Sequence, residues 1–298
     1  MTDVIRPCRS VLYMPGSNAR ALEKAKGLPA DALILDLEDA VSPDAKEEAR
    51  RQVCAAVRGG GYGAREIIIR VNGLDTPWGL DDIRAASDAA PDAILVPKVD
   101  TAHGVQQYEA LMNDHGAASE IDLWAMMETP RAILGAQGIA ASSAEPGSRL
   151  KAWVMGTNDL AKELGCAQPQ SREPLITSLG LCVLAARAYG LVLIDGVFNE
   201  IQDVKGFSQV CSQGRAFGFD GKTLIHPSQI EACNEIFSPS DDEVAWAREV
   251  IAAFDHPDNH GKGALKVNGR MVERLHADIA RRTVAMAEAI ADIAAAIA

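Results

Sequence analysis

The chain has 298 residues, 48% apolar and 23% charged, a balance that fits a globular enzyme of one large domain or two ordinary ones. A formal net charge of −12 and a pI of about 5.0 argue against general binding to nucleic acid or to an anionic membrane. The six cysteines, at 8, 54, 166, 182, 211 and 233, form no CxxC pair, so they read as reduced thiols rather than a disulfide or zinc framework.

The N-terminal Met1-Thr2-Asp3-Val4-Ile5-Arg6-Pro7 lacks the apolar core of a signal peptide, and no apolar run is long enough to span a bilayer. The expected location is therefore the cytoplasm. Short apolar runs then recur, each followed by a stretch long enough for a helix. They are Ser10–Met14, Ala32–Asp39, Glu66–Gly73, Ala93–Val99, Ile121–Met127, Ala152–Asp159, Leu191–Gly196 and Phe219–Pro227. Nearly continuous apolar character marks parallel strands buried on both faces. Eight such units predict an α/β fold, a closed (β/α)8 TIM barrel. A doubly wound open sheet competes, but it normally carries a phosphate fingerprint after its first strand, and none is present. The glycine run Gly59-Gly60-Gly61-Tyr62-Gly63 follows a helix and reads as a connection.

The barrel is expected to occupy residues 1–255. A polar break, Asp255 to Gly263, leads to an Asn268-Gly269 turn and a last helix with apolar residues at Met271, Leu275, Ile279, Met286, Ile290, Ile293 and Ile297. Residues 256–298 thus form a linker and helical lid. Its apolar stripe would be an aggregation risk if left bare, so it should pack on a neighbouring subunit. His256, Asp258 and His260 sit in the Pro/Gly loop, where solvated residues are commoner than metal ligands.

Catalytic groups of barrels stand at the C-terminal ends of the strands. Those positions hold Tyr13; Asp36, Glu38 and Asp39; Arg70 and Asn72; Lys98; Glu128; Asp159; Asp195; and His226. So many acids around one mouth would repel and raise each other's pKa values. A divalent cation relieves that, and Glu128 and Asp159, each ending an apolar run at the head of a helix, are the natural pair. Mg²⁺ takes one or two protein carboxylates and fills the rest of its shell with water and substrate. Arg70 interrupts Ile67-Ile68-Ile69-Arg70-Val71, and a buried guanidinium needs an anion, here expected to be a substrate carboxylate.

Several segments together resemble the citrate lyase β-subunit-like family of the HpcH/HpaI aldolase superfamily, which includes malyl-CoA and citramalyl-CoA lyases. They are Arg9–Ser17, Leu35–Val41, Ile69–Asn72, Pro97–Val99, Met127–Pro130 and Gly156–Leu160. The resemblance implies a TIM barrel, Mg²⁺, a CoA thioester with a small 2-oxoacid, and C–C bond cleavage or its reverse. It places the metal on Glu128 and Asp159, substrate on Arg70, Glu128, Tyr13 and Lys24, and catalysis on Arg70, Glu38 and Glu273. It further implies a homo-oligomer, trimer or hexamer, whose C-terminal segment closes a neighbour's active site. There the family has Asp in a Gly-Lys/Arg-Met-Val/Ile-Asp motif; this chain reads Gly269-Arg270-Met271-Val272-Glu273, with His276 one turn on as the rival acid/base. The expected activity is an Mg²⁺-dependent acyl-CoA lyase. The alternatives are a malyl-CoA thioesterase, a citrate lyase β subunit acting on a carrier-protein thioester, or a non-catalytic CoA-binding protein.

Overall fold

The computed structural model describes residues 6–297, with side chains through 295, so Met1–Ile5, read above for a leader, lie outside the described residues. The chain divides into two compact units, Cys8–Phe237 and the segment from Ser238 onward, to which the described N-terminal residues Arg6 and Pro7 also belong.

In the first unit eight strands close a barrel: β1 (Ser10–Pro15), β2 (Ala32–Asp36), β3 (Glu66–Arg70), β4 (Ala93–Val96), β5 (Asp122–Met127), β6 (Leu150–Met155), β7 (Val192–Asp195) and β8 (Gly221–Leu224). Each pairs in parallel with its neighbours in sequence, and β8 returns to β1 with Ser10 opposite Lys222 and Leu12 opposite Leu224. The strands read as unbroken apolar runs because both faces are buried. On β2, Ala32 and Ile34 point into the barrel, whereas Leu33 and Leu35 pack outward against the helices. Inside, Trp124 stands opposite Leu95 on β4 and Ala152 on β6, in an interior cluster that mixes large and small side chains.

Local signals set the helix starts that follow the strands. Asn18 accepts from the Ala21 N–H at the head of helix Ala19–Ala25. Thr129 accepts from Ala132 N, and Pro130 fills the first turn of helix Pro130–Leu134, which launches that helix immediately after Glu128. Among the described residues no helix is long and apolar enough to cross a membrane.

The second unit contains helix Asp241–Asp255, an antiparallel hairpin of β9 (Ala264–Val267) and β10 (Arg270–Glu273), and helix Arg274–Ile297. Asn268 and Gly269 both have positive φ, 47° and 83°, as a two-residue hairpin turn with the twist of its strands requires. The unit begins at Ser238, upstream of the division expected at 255/256, for a packing reason. Ala247 and Val250 of helix Asp241–Asp255 share a small core with Leu265, Val267, Val272, Ala277 and Ala280. Met271 and Glu273 stand on β10 rather than on the last helix, because the hairpin consumes the residues through 273. His256, Asp258 and His260 are exposed, and His256 accepts the Asp258 N–H through Nδ1, a turn contact rather than a ligand arrangement.

Gly221 marks the closure of the barrel. A Cβ there would lie 1.7 Å from the Cys8 carbonyl oxygen and 2.6 Å from that of Arg9. Backbone cannot move aside as a side-chain tip can, so Gly221→Ala is expected to cost about 3 kcal/mol, the upper part of the range for overpacking. Urea unfolding checks this; a loss under about 0.5 kcal/mol would show that β1 and β8 part easily.

Candidate active site

A cavity of about 320 Å³ opens at the C-terminal ends of the strands. Its walls include Tyr13, Asp36 and Asp39, Arg70, Glu128, Gly156 and Asp159. Four expected site residues, Tyr13, Arg70, Glu128 and Asp159, therefore meet in one place.

Arg70 ends β3 beside Asp36, which ends β2, because the parallel register sets these two residues opposite each other. The guanidinium donates from Nε to Asp36 Oδ1 at 2.7 Å and from Nη2 to Asp36 Oδ2 at 2.6 Å. Its Nη1 lies 2.8 Å from Glu38 Oε2 and 3.5 Å from Asp39 Oδ2. Tyr13 closes one face, with the guanidinium carbon 4.8 Å from the ring centroid. The bidentate edge that the sequence assigned to a substrate carboxylate is thus taken by Asp36. Arg70 meets the cavity with what remains of its donor set, five N–H groups in all.

Glu128 is buried at the end of β5. Its Oε1 accepts the Lys98 backbone N–H at 2.7 Å. Lys98 reaches it with a positive φ of 50°, a costly conformation for a side-chain-bearing residue and one that directs the amide onto the carboxylate. Gly156 supplies room on the other side: a Cβ there would lie 2.3 Å from Glu128 Cβ and 2.6 Å from Oε2. Asp159 stands in the first turn of helix Thr157–Leu164, half-buried, and lines the same cavity.

Burial pushes the Glu128 carboxyl up, and Asp159 adds to the rise against the Lys98 N–H and the Arg70 charge, leaving it at about 7. Burial likewise pushes Glu38 up to about 8, with Asp39, Glu128 and Asp36 adding and Arg70 opposing. Glu38 Oε2 has no aligned hydrogen-bond donor although Arg70 is close, so its ion pair is poorly directed. Among the described residues no group of three or more His, Cys, Asp or Glu is arranged to hold a metal. The Glu128–Asp159 pair offers two carboxylates only, a donor set suited to a hard, mostly hydrated cation.

Other expected residues lie elsewhere. Glu38 contributes no wall to the cavity and faces Arg70. Lys24 is exposed at the end of helix Ala19–Ala25, makes no ion pair among the described residues, and is also outside the cavity wall. Glu273 is exposed on β10 in the second unit, where its N–H donates to His276 Nδ1. His226 is exposed and accepts the Ser228 N–H. Asp195 is buried between Arg172 and Lys222.

Sequence reasoning missed the supports. Lys46 donates to the carbonyls of Leu37 and Glu38 and to Asn72 Oδ1, while Asn72 donates to Asp82. This clamp holds the acidic loop after β2. The available signal was Lys46 on the apolar side of its helix, four residues after Ser42.

Comparison with known proteins places this geometry in a family. The chain belongs to the HpcH/HpaI aldolase/citrate lyase family, whose model matches residues 9–227. It is 51% identical over 291 residues to a (3S)-malyl-CoA thioesterase of Cereibacter sphaeroides, covering 98% of each chain. It is 32% identical to the L-malyl-CoA/beta-methylmalyl-CoA lyase of the same species, covering 90% of this chain and 91% of that one. A solved structure of protein CitE from Mycobacterium tuberculosis in complex with magnesium, acetoacetate and coenzyme A matches with a TM-score of 0.73 at 28% identity, covering 94% of this chain and 99% of that one.

The raised carboxyls make stability depend on pH. Glu38 and Glu128, ordinarily near 4.5, bind their protons more tightly in the folded state. Their contribution is therefore intact below about 4.5 and lost as pH rises through about 7 and 8. Chelator-treated protein unfolded by urea at pH 5 and pH 9 should lose more stability over that interval than Glu38→Gln loses. Equal losses would show that Glu38 ionises as an ordinary carboxyl.

Proposed function

We propose that this chain, as a member of the HpcH/HpaI aldolase/citrate lyase family, hydrolyses a small carboxylate-bearing β-hydroxyacyl-CoA, malyl-CoA, to malate and free CoA. The observation that carries the reading is that Glu128 and Asp159 line one small cavity together with Arg70. The full-length similarity to a (3S)-malyl-CoA thioesterase at 51% identity supports hydrolysis over C–C cleavage. The order of the two reactions expected from sequence, lyase first, is reversed on that ground.

Glu128 and Asp159 are the residues that would hold Mg²⁺, and the bound ion would polarise a substrate oxygen and neutralise negative charge that develops there. Lys98, through its backbone N–H, fixes one Glu128 oxygen and leaves the other facing the cavity side of Gly156. Arg70, held by Asp36 and backed by Tyr13, presents its unused donors to the substrate carboxylate or to the oxyanion. Glu38 acts through Arg70, as a positioning residue.

In hydrolysis a water adds to the thioester carbonyl, a base takes the water proton, and the CoA sulfur departs and is protonated. Glu273, from the hairpin of a neighbouring copy in a homo-oligomer, trimer or hexamer, is the acid/base in this account, with His276 as the rival. The exposure of Met271, Leu275 and Ile279, at 69%, 62% and 55%, supports a face made to be covered by a partner. Lys24 would meet the CoA portion outside the small cavity. The setting is the cytoplasm.

A second reading is C–C cleavage of the same substrate to acetyl-CoA and glyoxylate, favoured by the similarity to the malyl-CoA/methylmalyl-CoA lyase. Product analysis separates the two. With (3S)-malyl-CoA and Mg²⁺, hydrolysis gives equal amounts of malate and free CoA without acetyl-CoA. Acetyl-CoA and glyoxylate as the initial products would establish the lyase, and no turnover of malyl-CoA would remove both readings.

A further inference from the structure

A second cavity, of about 360 Å³, adjoins the first and shares Thr157, Val197 and Asn199 with it. Arg172 forms part of its wall, only 8% exposed, with a positive φ of 56°. Its Nε donates to Gln213 Oε1 at 2.7 Å, and its Nη1 to the two Asp195 oxygens at 2.6 and 2.8 Å. Its Nη2 is buried with no hydrogen-bond partner.

Asp195 is already shared. Lys222, fully buried on β8, donates to its Oδ2 at 3.0 Å and to the Gly196 carbonyl. Among the described residues, then, one buried carboxylate is the ion-pair partner of two buried cations. Leaving a charged donor buried and unpaired is unfavourable, and such groups are normally met by a partner. With Nε on Gln213 and Nη1 on Asp195, Nη2 is the one guanidinium nitrogen left for a further carboxylate oxygen. The cavity also carries the amide side chains of Gln168 and Asn199. Two acids also line it, Glu200 and Asp203, both exposed, and Asp203 Oδ1 accepts the Gly206 N–H at the head of helix Val204–Phe217.

We propose that this second cavity is a subsite for a small carboxylate, anchored by Arg172, which Asp195 and Gln213 hold in place. The carboxylate has two possible sources with the same chemistry: a free small acid, or the far carboxylate of an acyl group that extends past Thr157 and Asn199 from the reaction cavity. Binding here requires neither metal nor turnover, so its test is separate from that of the proposed reaction.

The test titrates metal-free protein calorimetrically with malonate, using wild type, Gln168→Glu and Arg172→Lys. Gln168 is exposed, so its substitution adds a negative charge to the cavity wall without disturbing the core. Arg172→Lys is compared only after its thermal unfolding shows a folded protein. In parallel, the affinity ratio of a doubly over a singly carboxylated acyl-CoA is measured for wild type and Gln168→Glu. If a free acid is the ligand, malonate affinity falls at least tenfold in both variants while the ratio holds. If the ligand is the far carboxylate of the acyl group, the ratio falls at least tenfold in Gln168→Glu. If neither quantity moves, the cavity is no anion subsite and the proposal is overturned.

Discussion

The Arg70–Asp36 pair is the contact on which the rest of the mouth depends. It joins the ends of two adjacent strands, with both groups nearly removed from water. Breaking such a pair from one side leaves an uncompensated buried charge and costs about 3–5 kcal/mol. Arg70 also faces Glu38 and Asp39, so one guanidinium counters three acids within a single loop. Burial pulls its pKa down, but Asp36, Tyr13 and Glu38 more than offset this, and it stays charged. The loop itself is clamped from behind by Lys46, Asn72 and Asp82, so the acids cannot relax outward.

The other half of the mouth is arranged by backbone rather than by charge. Lys98 accepts an unfavourable φ so that its N–H reaches Glu128, and Gly156 gives up a side chain so that Glu128 fits. Strain of this kind costs about 1–3 kcal/mol and persists where the surroundings over-determine it. The two halves divide the labour. In the proposed function, Arg70 would hold anionic charge in place, and Glu128 with Asp159 would receive a cation. A site for a carboxylate-bearing thioester needs both.

The barrel was legible because its strands are buried on both faces, read as unbroken apolar runs, and are followed by polar residues and helix-length stretches. The meeting of Tyr13, Arg70, Glu128 and Asp159 followed from that, since strand ends of one barrel converge. The partner of Arg70 was not legible. Pairing Asp36 with Arg70 requires the register of two strands 34 residues apart, which no local pattern gives. Arg172 was invisible for a related reason: it sits in a polar connection, and only the folded chain brings it to Asp195 at the end of β7. The start of the second unit was obscured because helix Asp241–Asp255 has an apolar stripe like that of any barrel helix. Glu273 fell on a strand because the Asn268-Gly269 signal marks the turn but not the length of the second strand.

In the proposed function Glu128 and Asp159 act together as one divalent-cation site. Mn²⁺, followed by electron paramagnetic resonance, reads that directly without substrate. Wild type should bind one ion per chain, and Glu128→Gln and Asp159→Asn should each weaken that binding at least tenfold while retaining the folded barrel. Wild-type Mn²⁺ affinity in either variant would contradict it.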